Sequence, residues 1–490
     1  MKPSLFLILC VAALLPVTSL QAQTASPEWQ AEVDALQPLL TTAPDEADKQ
    51  ADALLKGKNK KNLPLLLALT QCYLDAGRYQ SAEQFLTMAK KVDAKSAAVS
   101  VAEGDLALAR RQVGLACQLY EQAIYFDPTY KEAYLKYAGA YRTASPAQAI
   151  QKLMQLKQQF PDCTEADRRL AEVYYGTNRF DKAIEAYSHF IDTPLATQTD
   201  LLKYAFALFL NHRFEQSLQA ARRGAERNPR HAAFNRLIMY NTIDLQRLPE
   251  AEQAAYNFFH ASDSADFSVL DYRYQGALLA SLGRPEQAID SYRKALSADP
   301  KRIELWREIA DVYESQNEFD EAILAYRNYF DALSPDRQTP DLLFFLGRLY
   351  YGDATTADTS PEETATEGGE DVLVTAEQRA SLLCADSIFA LVAWQAPDSH
   401  LGNLWRARTN SALDPETTAG LAKPYYEQVA QLLLAKADGN NRPALLECYR
   451  YLGYYYLLKS DYPLSKEYWE KILQLDPENE VALKALEGMK

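Results

Sequence analysis

The sequence predicts an all-α solenoid of about eleven antiparallel helix pairs, and three regularities carry that prediction. Small residues recur at Ala82, Ala116, Ala149, Ala183, Ser217, Ala251, Ala288 and Ala322, at intervals of 34, 33, 34, 34, 34, 37 and 34 residues. Four residues after many of them stands a large apolar side chain: Leu86, Tyr120, Leu153, Tyr187, Tyr292 and Tyr326. Twelve residues after several stands a proline, as at Pro128, Pro161, Pro229 and Pro300. Such a period marks a stack of like units, each burying its apolar face against its neighbours rather than in one enlarging core.

The elements follow in chain order. Lys2, an apolar run from Leu5 to Leu15 and a polar stretch ending Leu20-Gln21-Ala22-Gln23 have the pattern of a secretory leader, so residues 1–22 are expected to be removed after Ala22. The apolar run is too short to span a bilayer, which takes about 20 residues. Residues 23–62 are expected to form capping helices. Units then begin near Leu63, Ala97, Lys131, Thr164, Gln198, Ala232, Val269, Ile303, Pro340, His400 and Leu446.

Within each unit, apolar residues at three- and four-residue steps read as two amphipathic helices. A short turn separates them, for example Asp75-Ala76-Gly77-Arg78 or Ser281-Leu282-Gly283-Arg284. The Asp-Pro or Asn-Pro near a unit's end stops its second helix, because proline disfavours helical geometry in the residue before it. Bulk at a ladder position such as Ala288 is expected to overpack the helix–helix contact, at about 1–3 kcal/mol.

The period runs from residue 63 to 351, covering eight units and the first helix of a ninth, and then breaks. Residues 352–378 form an acidic insertion: Asp353 to Glu377 holds eight acidic residues and no Lys or Arg. Such a composition buries little apolar surface, so the insertion is expected to be disordered. Repeat-like units resume over 379–478, and residues 479–490 read as a closing helix whose charged face suits the end of a stack.

The pattern of these positions resembles the tetratricopeptide repeat family. Tyr272, Gln275-Gly276, Leu279, Ala288, Tyr292, Ala295 and Pro300 match its motif best, followed by Trp306, Ile309-Ala310, Tyr313, Ala322 and Tyr326, and then by Tyr449, Leu452-Gly453, Tyr456, Trp469 and Pro477. The resemblance implies a right-handed superhelix whose concave wall is lined by the first helix of each unit and binds other proteins. Carrying the family's wall positions over gives Arg168, Arg236, Arg273, Arg307 and Arg450 at the fifth place, and Tyr240, Arg348, Arg408 and Tyr454 at the ninth. Tyr175, Phe206, Phe209, Phe344 and Tyr351 lie nearby. Arginine forks grip carboxylates in bidentate fashion and aromatic rings supply rigid contact area, so an extended acidic or aromatic-bearing polypeptide fits such a wall. The competing reading is that Arg168 and Arg307 only form helix-surface pairs with Glu172 and Asp311, at about 0.2–0.5 kcal/mol each. The chaperone-tail clamp of some family members uses Lys and Asn at set places, and the Asn residues are missing here.

Composition narrows the function classes. The formal net charge of −15 argues against nucleic acid as a partner, since phosphate binding draws on clustered Lys and Arg. No metalloprotease, nucleophile-elbow, phosphate-loop or dinucleotide motif is present, and none of the 5 histidines forms a zinc-type pair. The sequence therefore argues against catalysis and implies no cofactor and no metal. Cys72, Cys117, Cys163, Cys384 and Cys448 follow no metal or redox spacing and read as small buried hydrophobes. The expectation is a non-catalytic, exported, periplasmic scaffold that binds a protein or extended peptide in envelope assembly or secretion. The alternative is a glycan-binding repeat protein at the outer membrane, with Trp29, Trp394, Trp405 and Trp469 as stacking platforms.

Overall fold

The structure, a computed structural model, describes residues 28–263, 265–356, 374–436 and 441–489. The expected leader 1–22 and residues 357–373 of the acidic insertion lie outside the described residues. The chain divides into two compact units, 1–220 and 221–490.

In the first unit, helices follow one another in antiparallel pairs: α1 (Gln30–Thr42) with α2 (Pro44–Leu54), α3 (Leu63–Asp75) with α4 (Tyr79–Val92), and α5 (Ala97–Ala109) with α6 (Val113–Phe126). The series continues through α7 (Lys131–Tyr141) with α8 (Pro146–Gln159), and α9 (Thr164–Gly176) with α10 (Phe180–Ser188), to α11 (Gln198–Leu210) and α12 (Phe214–Arg227), in which the unit ends. First helices of successive pairs touch one another, as α3 does α5, α5 does α7 and α7 does α9.

The second unit repeats the plan: α13 (Ala232–Asp244) with α14 (Leu248–Tyr256), α15 (Val269–Ser281) with α16 (Pro285–Ala298), and α17 (Glu304–Ser315) with α18 (Phe319–Asp331). Then come α19 (Pro340–Thr356) with α20 (Ala376–Gln395), α21 (Leu401–Leu413) with α22 (Lys423–Lys436), α23 (Arg442–Leu458) with α24 (Tyr462–Leu475), and the closing α25 (Glu480–Gly488). No strand occurs among the described residues; an isolated bridge joins His231 and Asp263. Each unit is thus an all-α stack, the solenoid class expected from the period.

The ladder residues are the seams of the stack. Ala82, Ala116, Ala149, Ala183, Ala288 and Ala322 are fully buried. The aromatic residue four positions on closes over the small residue of the partner helix: the Tyr292 ring lies against Gly276 and the Trp469 ring against Gly453. The same ring can reach the next pair, as Tyr326 does by stacking near Phe345 and donating to the Leu342 carbonyl at 3.0 Å. First helices end on a left-handed residue that recurs with the period: Gly77, Arg111, Asn178, His212, Gln246, Gly283 and Asn317. At Gly283 (φ 69°) the absence of Cβ makes that conformation cheap, and the Arg284 amide then reaches back to the Leu279 carbonyl at 2.9 Å.

Three departures from the expected boundaries have local causes. The interval of 37 after Ala251 arises because α14 runs on into a π-helical turn at Asn257–Ala261, whose Phe258 is buried with Phe259 and Phe267 around it. The edges of the acidic insertion are helical rather than disordered. Gly352 within α19 lies against the Phe319 ring, and α20 opens at Ala376 because Thr375 and Gln378 form a reciprocal capping box. The last pair opens at Arg442, ahead of Leu446, with Pro443 in the first turn where its missing N–H costs nothing.

Cys72, Cys117, Cys163 and Cys448 are buried free thiols, and burial pushes Cys448 up to about 12, whereas Cys384 is exposed. No helix among the described residues is long and apolar enough to cross a membrane.

Candidate functional site

The first helices bring the arginines expected to line a wall onto one face of each pair, but most of them are engaged with the neighbouring first helix. Arg236 Nε and Nη2 of α13 donate to the Asp271 carboxylate of α15 at 2.8 and 3.1 Å, and Nη2 also donates to the Asp266 carbonyl. Arg273 of α15 donates to Glu308 of α17 at 2.6 Å. Arg348 of α19 reaches back to Glu314 of α17 at 2.8 Å. Arg408 of α21 makes a two-pronged contact with Glu447 of α23, at 2.9 and 2.7 Å. These hydrogen bonds hold the Arg273 and Arg408 guanidinium groups above their ordinary pKa values. In the first unit Arg168 of α9 lies 3.2 Å from Asp200 of α11, and only 3.9 Å from Glu172 on its own helix. The dominant partner of these arginines is therefore the adjacent pair, not the residue one turn on.

The remaining candidates divide into packed and open. Tyr240 is 2% exposed: its hydroxyl donates to Asp271 at 2.7 Å and its ring stacks on Tyr274, so it belongs to the packing rather than to an accessible wall. Phe344 packs among Phe389 and Trp405, which also gathers Tyr351. Tyr175 is half-buried beside Phe180, with Lys203 over its ring. Arg307, Arg450 and Tyr454 are exposed and make no hydrogen bond or ion pair among the described residues. Desolvation holds Asp311, near Arg307, above the usual carboxylate range. Of the tryptophans, Trp469 is buried and Trp405 is part of the aromatic cluster, whereas Trp394 stands exposed on α20, a second helix.

One cluster escapes the sequence-derived set. Arg142, at the end of α7, and Arg168 and Arg169 of α9 converge on Glu172, at 3.5, 3.9 and 3.0 Å respectively. Arg142 and Arg169 lie outside the wall places carried over from the family motif, which is why they were not among the candidates. Phe206 and Leu210 of α11 are exposed in the same unit. Among the described residues no group of three or more His, Cys, Asp or Glu side chains is placed to hold a metal ion.

Comparison with known proteins finds a family match over part of the chain. The family model described as "Tetratricopeptide repeat" matches residues 139–192 and 275–337. No curated protein matches the chain. Among solved structures, the C-terminal part of a TPR repeat-containing protein from Cytophaga hutchinsonii is similar at 25% identity and a TM-score of 0.47, covering 58% of this chain and 99% of that one. A tetratricopeptide repeat protein from Parabacteroides merdae is similar at 15% identity and a TM-score of 0.33, covering 51% and 98%. YrrB, described as a TPR protein with an unusual peptide-binding site, is similar at 12% identity and a TM-score of 0.31, covering 38% and 95%.

Proposed function

We propose, from the premise that this is a tetratricopeptide-repeat chain, that it is an exported, non-catalytic scaffold holding an extended polypeptide against its first helices in envelope assembly or secretion. Folds of this family typically serve as protein–protein interaction scaffolds. The observation that carries the finer reading is the set of exposed cations and apolar side chains that the first helices present. Arg142, Arg169, Phe206 and Leu210 are exposed in the first unit, and Arg450, Tyr454 and Leu458 follow one another at four-residue steps along α23 in the second. Cations beside aromatic and aliphatic side chains are the composition that supplies anchors for a polypeptide. The negative total charge and the matched ion pairs favour a protein over nucleic acid as the partner.

The test is site-specific photo-crosslinking in the native host, read by mass spectrometry. A photoreactive residue at Phe206 or Tyr454 is expected to capture polypeptide, and one at Leu324, which is 66% exposed on second helix α18, is expected to capture none. The recovered chain is expected to begin at Gln23. Capture from Leu324 alone, or from none of the three, contradicts the docking face, and a chain still carrying Met1 contradicts export.

A further inference from the structure

We propose that the Arg142–Arg168–Arg169 cluster is the anchoring site for an acidic side chain of the bound polypeptide; this rests on the scaffold reading above and specifies its partner. The argument begins with charge. Three guanidinium groups meet two carboxylates here, Glu172 and Asp200. The Asp200 carboxylate is already committed: its Oδ2 accepts from the Thr197 amide at 2.9 Å and from the Thr197 hydroxyl at 2.6 Å, closing the capping box of α11. Asp200 answers Arg168 at 3.2 Å, which leaves Glu172 as the main counter-ion for Arg142 and Arg169, arginines from two helices.

Exposure sharpens the asymmetry. The Glu172 and Asp200 side chains are 12% and 3% exposed, whereas those of Arg142 and Arg169 are 53% and 46% exposed. A partner approaching this patch meets the cations and not the anions. Each guanidinium carries five N–H donors in a planar fork, and only one hydrogen bond joins these three arginines to Glu172, from Arg169 at 3.0 Å. The unused donors of the exposed Arg142 and Arg169 are therefore available to a second carboxylate, whereas Arg168 Nε is buried. Lys203, over the Tyr175 ring, adds another positive charge, and Phe206 offers an exposed ring on the next first helix.

The face of α17 shows the contrast. Arg273 and Arg348, from the two neighbouring first helices, pair with Glu308 and Glu314 of α17. Arg307, which forms no ion pair among the described residues, has the Asp311 carboxylate near it on the same helix, so three cations there face three anions. The ligand class follows: an extended peptide whose Asp or Glu side chain enters between Arg142 and Arg169, with an apolar neighbour on Phe206.

The two roles of Glu172 can be separated experimentally. As an internal carboxylate it competes with the ligand; as a structural counter-ion it holds the arginines in place. The probe is a fluorescein-labelled ten-residue Glu-Ser repeat peptide, with a Gln-Ser repeat as the neutral control, titrated by anisotropy against the chain from Gln23 onward. The Glu-Ser peptide is expected to bind at least about tenfold more tightly than the Gln-Ser peptide, with the difference shrinking as salt rises. Arg142→Ala with Arg169→Ala is expected to weaken it about tenfold, Arg307→Ala to leave it unchanged, and Glu172→Gln to tighten it several-fold. Equal binding of the two peptides, or no tightening in Glu172→Gln with an unchanged melting curve, overturns the proposal. If Glu172→Gln melts early, Arg169→Lys decides: it keeps the charge and loses the fork, and an unchanged affinity overturns the proposal. Failure of both peptides alongside polypeptide capture from Phe206 sinks this anchor and leaves the scaffold reading; failure of both peptides and of capture sinks the two together.

Discussion

Asp271→Ala is expected to be the most damaging single substitution on the first helices, lowering stability by about 3–5 kcal/mol. The Asp271 side chain is fully buried, and every acceptor site on it is used. Its Oδ1 receives Arg236 Nε at 2.8 Å and the Tyr240 hydroxyl at 2.7 Å. Its Oδ2 receives the Ser268 amide at 2.6 Å and the Ser268 hydroxyl at 2.8 Å, which starts α15. Alanine would strand the Arg236 guanidinium against the Phe258 ring without a counter-ion and leave the Tyr240 hydroxyl, which is buried, without this acceptor. It would also remove the carboxylate half of the α15 capping box, leaving the Ser268 hydroxyl to accept from the backbone amide at position 271. Removing one member of a buried pair costs far more than the pair contributes, because the other charge stays desolvated. The control is Arg273→Ala. That side chain is 53% exposed, and an exposed pair contributes at most about 1 kcal/mol. Urea midpoints for the two variants check the difference; equal shifts would contradict the role assigned to Asp271.

Gly276→Leu is the second large effect, expected at about 3 kcal/mol or slightly above, the upper end of overpacking costs. A Cβ built at Gly276 would stand 2.6 Å from Tyr292 Cε1 and 2.7 Å from Cδ1, so the ring would have to leave its seat. The ring has little room to move, being 4% exposed with Ala288 and Ala295 fully buried on its own helix. Gly276→Ala is milder, since helix propensity returns about 0.5–1 kcal/mol against the clash. Pairing Gly276→Leu with Tyr292→Leu removes the ring that is struck, so the double variant is expected to melt above the sum of the single effects. Strict additivity in thermal melts would show that the ring and the glycine do not share one contact.

The helix pairs were legible because the residues that fix them are local consequences of packing. Ala288, Tyr292 and Gly276 recur as a set wherever two helices must come this close, and the turn at Gly283 repeats for the same reason. The fate of the arginines was not legible in motif positions alone. Their partners lie about one period away, Asp271 for Arg236 and Glu308 for Arg273, each 35 residues on. In a periodic stack that separation means adjacency, so acids one period from each arginine were the signal available and unused. Arg142 was hidden for a different reason: it stands where α7 ends, outside the wall places, and meets Glu172 only because α7 and α9 touch. The Thr375–Gln378 capping signal was likewise present in the sequence but masked by the acidic composition around it.

Hydrogen–deuterium exchange of the whole chain, with and without the Glu-Ser peptide, tests the central claim most directly. New protection is expected at the end of α7 and along α9 and α11, with α17 and the second helices unchanged. Protection confined to the second helices, or centred on α17, would contradict the account.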